Sequence, residues 1–273
     1  MDARLQLRVQ RYGWDLAAPH YERAWNDALA PATRAVLEAA KLESGERVLD
    51  VACGGGVLAR AAWEAVAPGG EVVGSDISET MLVEAAAALP QCSFVRADAQ
   101  ALDRHVPLAH FDAVLCGLGL MYMPDPEAAL LTMTRTMRAG ARMVVSVWGE
   151  RRACAWAEIF PIVDARVRSE VCPMFFRMGG ADALARAMGE AGLVDIRTSR
   201  VPTQLVYENA DAACDAAFLA GPVALAYSRF DAQARDAVRA EYLASIERWR
   251  DGSGYRVPGE FVIAAGRKSD AAA

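Results

Sequence analysis

Three carboxylates, Asp50, Asp76 and Asp98, each follow a short apolar stretch and are the residues of this chain whose type and spacing point most directly to chemistry. Asp50 stands at the end of Arg47-Val48-Leu49-Asp50, four residues before Gly54-Gly55-Gly56. Glycines let the backbone approach a ligand closely, and a helix that follows turns unpaired N–H groups toward it. The loop therefore suits a nucleotide-like cofactor. Its spacing, Gly54-x-Gly56-x-x-Ala59 with Asp76 twenty residues past Gly56, also fits the dinucleotide fingerprint G-x-G-x-x-G/A. Asp50 breaks the tie, because a carboxylate facing the loop repels a pyrophosphate and attracts an ammonium or a sulfonium. At the end of the next strand Asp76 can accept from both ribose hydroxyls, with Ile77 against an adenine face. Asp98-Ala99 can bracket the adenine through its exocyclic amine and a ring nitrogen, and the carbonyls of Cys116 and Gly117 can accept from an ammonium. The plainer roles here are a turn at Asp76 and a helix cap at Ser78.

The elements that must position these groups alternate. Residues 57–67 have helical spacing, Pro68-Gly69-Gly70 makes a turn, and Glu71–Asp76 reads as a strand. A helix over 79–89, strands over Cys92–Arg96 and Phe111–Cys116, a helix opened by Asp125-Pro126-Glu127, and a strand over Ala141–Trp148 complete the series. Such alternation specifies a parallel sheet with helices on both faces. Residues 1–40 read as a helical lid segment with Trp14, Tyr21 and Trp25 among its apolar positions and a helix start at Pro31; 41–150 is the cofactor core, and 151–273 holds substrate-side insertions and the last strands.

Bulk properties narrow the class. With 273 residues, 54% hydrophobic and 23% charged, the chain can bury a full core and has no apolar run near the length of a membrane span. The start, Met1-Asp2-Ala3-Arg4, lacks an apolar signal core, so the expectation is a cytoplasmic protein. A net charge of -6 and the lack of a basic run argue against a nucleic-acid partner. A homodimer stays open. The six cysteines are widely spaced with no C-x-x-C pair, so neither zinc nor a disulfide framework is expected.

Asp50-x-Ala52-x-Gly54-x-Gly56, Asp76, Asp98-Ala99, and Phe111-Asp112-Ala113-Val114 followed by Asp125-Pro126 together resemble the class I S-adenosylmethionine-dependent methyltransferases, above all the branch with the ubiquinone and menaquinone biosynthesis enzymes. The likeness covers about residues 20 to 150 and departs from the common first motif at Ala52, where that motif has a glycine. It implies a Rossmann-like, doubly wound α/β sheet of seven strands with the last antiparallel, the sixth over about Val194–Val201 and the seventh over Glu260–Gly266. It also implies that Asp50 and the backbone of Ala52, Cys53, Gly54 and Gly56 hold the methionine half of S-adenosylmethionine, Asp76 the ribose, Ile77, Asp98 and Ala99 the adenine, and that Cys116, Gly117 and Leu118 lie beside the sulfonium. Tyr21 joins this set as a further cofactor contact, and S-adenosylhomocysteine is the implied product.

The acceptor is expected to be a small, largely apolar molecule methylated at O, N or C. Trp25, Met121, Tyr122, Trp148, Trp156, Phe160, Phe175 and Phe176 are candidates for its pocket, although core packing explains most aromatics of the insertions, Met174 included. Among three histidines, His20 comes first as a general base, ahead of His105 and His110. Competing readings are a nicotinamide-dependent oxidoreductase using the same loop, a non-catalytic cofactor-binding protein, and an arsenic or thiol methyltransferase drawing on Cys154, Cys172 and Cys214.

Overall fold

The run Arg47–Val51 forms β1, buried from Val48 onward, because every residue of a central strand in a doubly wound sheet faces a helix layer on one side or the other. In the computed structural model, residues 3–167 and 175–270 are described. The chain runs α1 (Ala3–Ala40), β1, α2 (Val57–Val66), β2 (Glu71–Asp76), α3 (Glu79–Ala88), β3 (Ser93–Arg96), β4 (Phe111–Gly117), α4 (Pro126–Thr136) and β5 (Met137–Trp148). Then follow α5 (Ile159–Asp164), α6 (Ala183–Glu190), β6 (Leu193–Tyr207), α7 (Ala210–Phe218), α8 (Ala224–Ser228), α9 (Ala232–Ile246), the two-residue β7 (Arg250–Asp251) and β8 (Gly254–Lys268).

The strand order is β3-β2-β1-β4-β5-β8-β6, with β7 paired to β8 alone. Strands β1 to β5 are parallel, and β8 enters antiparallel between β5 and β6. Order reverses between β1 and β4, so their following loops diverge and leave a crevice at the carboxyl ends. Local chemistry explains the element starts nearby. Ser78 caps α3 by accepting from the Met81 N–H at 3.2 Å, and Asp125 caps α4 by accepting from the Ala128 N–H at 2.9 Å ahead of Pro126.

Three boundaries differ from the sequence expectation. Helix α1 runs unbroken through Pro19 and Pro31 instead of starting at Pro31. Each proline withholds an N–H, but Trp25, Ala32, Val36 and Ala40 are buried against β4, β5 and their neighbours, and this packing carries the helix across both interruptions. The last two long strands extend past 194–201 and 260–266, pairing from Leu193 with Lys268 to Tyr207 with Tyr255. Thr198, Ser199, Arg200 and Thr203 lie along the edge strand β6, so its hydrophobic pattern fades where its pairing does not. Strand β5 begins at Met137 instead of Ala141, with a register shift against β4 and Gly140 at φ +71°. Among the described residues no helix is long and apolar enough to cross a membrane.

Candidate functional site

Asp50 lies on the floor of the crevice, 1% exposed, with no hydrogen-bond partner for either carboxylate oxygen. Burial, and then the charge of Asp76, push its pKa up to about 8, and the Ala59 amide at the start of α2 offsets this only in part. An unpaired buried carboxylate is costly to a free protein, which makes it a marker for a ligand that brings the missing donors.

Asp76 is differently placed. One oxygen accepts from the Gly54 N–H and the other from the Ser78 N–H, each at 2.9 Å, so this side chain pins the glycine loop to the end of β2. Burial still raises its pKa, outweighing the amides of Ser78, Gly54 and Ile77. The loop leaves space for a ligand: a β-carbon on Gly55 would meet nothing within 4 Å, and one on Gly54 only the Met81 sulfur, at 4.0 Å. Gly56 serves packing instead, since at φ +89° a β-carbon would come within 2.9 Å of Leu89 Cδ1. Asp98 accepts from the Gln100 N–H at 2.9 Å, which makes it the cap of the turn after β3 as well as part of the wall. Leu118, at φ +58°, is held in a left-handed conformation with its N–H donating to the Ser146 carbonyl at 3.0 Å and hydroxyl at 3.1 Å.

One cavity brings together Tyr21, Asp50, Ala52, Cys53, Gly54, Asp76, Ile77, Asp98, Ala99, Gly117 and Leu118. Gly56 and Cys116 stand outside its lining, and burial holds the Cys116 thiol up at about 12. Trp25 and Tyr122 line the same cavity and also an adjoining recess with Trp148 and Trp156, whose rings lie 4.9 Å apart. Met121, Phe160, Phe175 and Phe176 do not reach either; Phe175 sits behind Tyr122, edge-on at 5.2 Å. None of the three histidines lines the cavity, and His20 lies half-buried on α1 beside the lining residue Tyr21. Cys172 and Met174 fall outside the described residues. Among the described residues no cluster of three histidine, cysteine or acidic groups could hold a metal ion.

Sequence reasoning missed how much of the wall α1 supplies. Leu7, Gln10, Trp14, Tyr21, Trp25, Leu29 and Thr33 all face the cavity at helical spacing, and of these Leu7, Gln10, Leu29 and Thr33 were not among the residues expected there. The helix is fastened by the Ser78 hydroxyl donating to Asp15 at 2.6 Å and by the buried Trp25 indole donating to the Ala220 carbonyl at 3.0 Å. Burial and then the charge of Asp76 raise the pKa of the Tyr21 phenol, which packs edge-on to Trp14 at 5.7 Å.

The family described as a methyltransferase domain matches residues 48–140. Demethylmenaquinone methyltransferase of Staphylococcus aureus is 31% identical over 175 residues, 57% of this chain and 71% of that protein. The chain belongs to the class I S-adenosylmethionine-dependent methyltransferases. Another member of this methyltransferase family, the ubiquinone/menaquinone biosynthesis C-methyltransferase UbiE of Pseudomonas paraeruginosa, is 35% identical over 137 residues, and the match spans 48% of this chain and only half the length of that relative. Among solved structures, the YcgJ protein of Bacillus subtilis superposes with a TM-score of 0.61 at 14% identity, over 88% of this chain and 99% of that one. Haemonchus contortus phosphoethanolamine N-methyltransferase 2, solved with phosphomonomethylethanolamine and S-adenosylhomocysteine, gives 0.56 at 16% identity over 90% of this chain and 53% of its own. At such identities these structures speak for the methyltransferase fold alone.

Proposed function

We propose that the protein transfers a methyl group from S-adenosylmethionine to a small, largely apolar acceptor. The observation that carries this reading is Asp50: a buried carboxylate without a partner, beside an open glycine loop, calls for a cation, and the donor's ammonium answers it. A dinucleotide would set its pyrophosphate against the same group, which disfavours the oxidoreductase alternative.

In this reading Asp50 and the backbone of Ala52–Gly55 would hold the methionine half, Asp76 would accept from the ribose, and Ile77, Asp98 and Ala99 would flank the adenine. When bound, the cofactor supplies a methyl group already activated on a sulfonium. What remains for the chain is orientation and dryness. Trp14, Tyr21, Trp25 and Tyr122 wall the space above Leu118 and hold an apolar acceptor there while keeping water out. Fixing two reactants in line is worth about 7–11 kcal/mol, enough for the larger part of such a step without a dedicated base. Residues 1–40 then act as the lid, roofing cofactor and acceptor together.

Incubation with methyl-labelled S-adenosylmethionine and a panel of phenols, quinols, amines and thiols tests the assignment. Label should pass to an apolar member of the panel and be lost in Asp50→Ala; transfer that survives the substitution would count against it.

A further inference from the structure

The first turns of α1 are inverted relative to an ordinary surface helix. Gln10 is turned inward, only 6% exposed and facing the cavity with Leu7 and Trp14, whereas Leu5, Arg8, Tyr12, Leu16 and Pro19 form one exposed stripe at helical spacing. Leu5 is 44% exposed, Tyr12 51% and Leu16 46%. Large apolar groups gathered on one outer face need a partner surface.

Charge says what kind of surface. The chain as a whole is at -6, yet residues 3–14 hold three arginines and no acid. Arg8 is exposed and makes no ion pair among the described residues, while half-buried Arg11 lies over the Tyr12 ring at 5.3 Å with its Nε 4.0 Å from an Asp15 carboxylate oxygen. The neighbouring acids are mostly engaged: Asp15 accepts from the buried Ser78 hydroxyl and faces Arg11, and Glu79 pairs with Arg96 at 2.9 Å, which leaves Arg8 as the unpaired cation of the stripe and Glu84 exposed on α3. A basic helix with Leu and Tyr on its outer face is the composition that settles at a lipid headgroup boundary. A second copy of the chain fits less well, because two-fold pairing through this face would set the unpaired Arg8 near its own counterpart.

We propose that the outer face of α1 docks on an anionic lipid surface, with Leu5, Tyr12 and Leu16 entering the headgroup boundary and Arg8 meeting the phosphates. This stands on the surface alone and does not depend on methyl transfer. Co-sedimentation of the full chain, without cofactor, with vesicles of phosphatidylglycerol or phosphatidylcholine tests it. Binding to phosphatidylglycerol is expected, weakened at 0.5 M salt as screening demands and at least tenfold weaker for Leu5→Glu/Leu16→Glu and for Arg8→Glu, all exposed positions whose melting temperature should stay unchanged. No binding by the unaltered protein, or equal binding by the variants, would overturn the proposal. So would light scattering that finds a dimer split by Leu16→Glu in a protein indifferent to vesicles.

Discussion

The methyl group of Ala52 fills the space that a side chain at Gly119 would need: a β-carbon placed on Gly119 collides with it. Ala52 stands where the family's common first motif has a glycine, and it adopts φ +57°, a left-handed conformation that costs a residue with a side chain roughly 1–2 kcal/mol. Gly119 has an ordinary φ of -97°, so its lack of a side chain answers to Ala52 and not to the backbone. The departure in the β1 loop is thereby compensated in the β4 loop.

Gly119→Ala should therefore lower unfolding stability by about 1–3 kcal/mol through overpacking. Ala52→Gly should be near neutral alone, since relief of strain offsets the added freedom of the unfolded chain. Urea unfolding of the double variant should recover most of the Gly119→Ala loss; simple addition of the two single effects would show that the residues are not coupled.

For Asp50, pH and stability are linked with a definite sign. Its pKa is about 8 in the folded chain against 3.8 for the unperturbed group, so the folded state binds the extra proton between these values and stability falls as pH rises through that window. Asp50→Asn should leave the ligand-free protein unchanged below about pH 4 and stabilise it progressively above, by up to about 4 kcal/mol at pH 7. Thermal melts of both proteins from pH 5 to 8 check this, and a constant difference across the range would refute the burial argument.

Asp76 holds the glycine loop and, in the proposed function, also the ribose, and its removal should expose both roles. Asp76→Ala leaves the Gly54 and Ser78 amides without their acceptor, a loss of about 2–4 kcal/mol in unfolding, together with loss of S-adenosylhomocysteine binding below the melting temperature. Retained binding in a destabilised variant would limit Asp76 to holding the loop.

Trp25 ties α1 to the loop after α7 through Ala220 and lines the cavity and its recess, where the proposed acceptor would lie. Trp25→Phe should raise KM for the acceptor several-fold while leaving S-adenosylhomocysteine affinity nearly unchanged, in steady-state assays paired with calorimetry. An equal loss in both would place its effect on the cofactor side.

The acids and glycines that line one side of the cavity were legible because their signals are local. Asp50, Gly54, Gly55, Asp76 and Asp98 sit at strand ends that hydrophobic runs and glycines mark within a few residues, and β2 falls where its residues predict. What sequence could not supply was reach. Nothing local links Asp15 to Ser78 or Trp25 to Ala220, so the reading of residues 1–40 as a helical lid came without the contacts that fasten the helix. The aromatic insertions divided for the same reason: Trp25, Tyr122, Trp148 and Trp156 meet the cavity or its recess, while Phe160, Phe175 and Phe176 pack behind, and their composition is alike. Nor can spacing tell that a side chain at Gly56 would run into Leu89 or that Asp98 spends a carboxylate oxygen on the Gln100 amide.

Isothermal titration of S-adenosylhomocysteine at pH 6, 7 and 8 in buffers of different ionisation enthalpy tests the central claim, that Asp50 waits for the ligand's ammonium. Affinity should rise by up to tenfold per pH unit toward about 8, with close to one proton released on binding at the lower pH values, and both signatures should vanish along with tight binding in Asp50→Asn. Equal affinity at all three pH values, with no proton released and Asp50→Asn binding as well as the unaltered protein, would contradict the account.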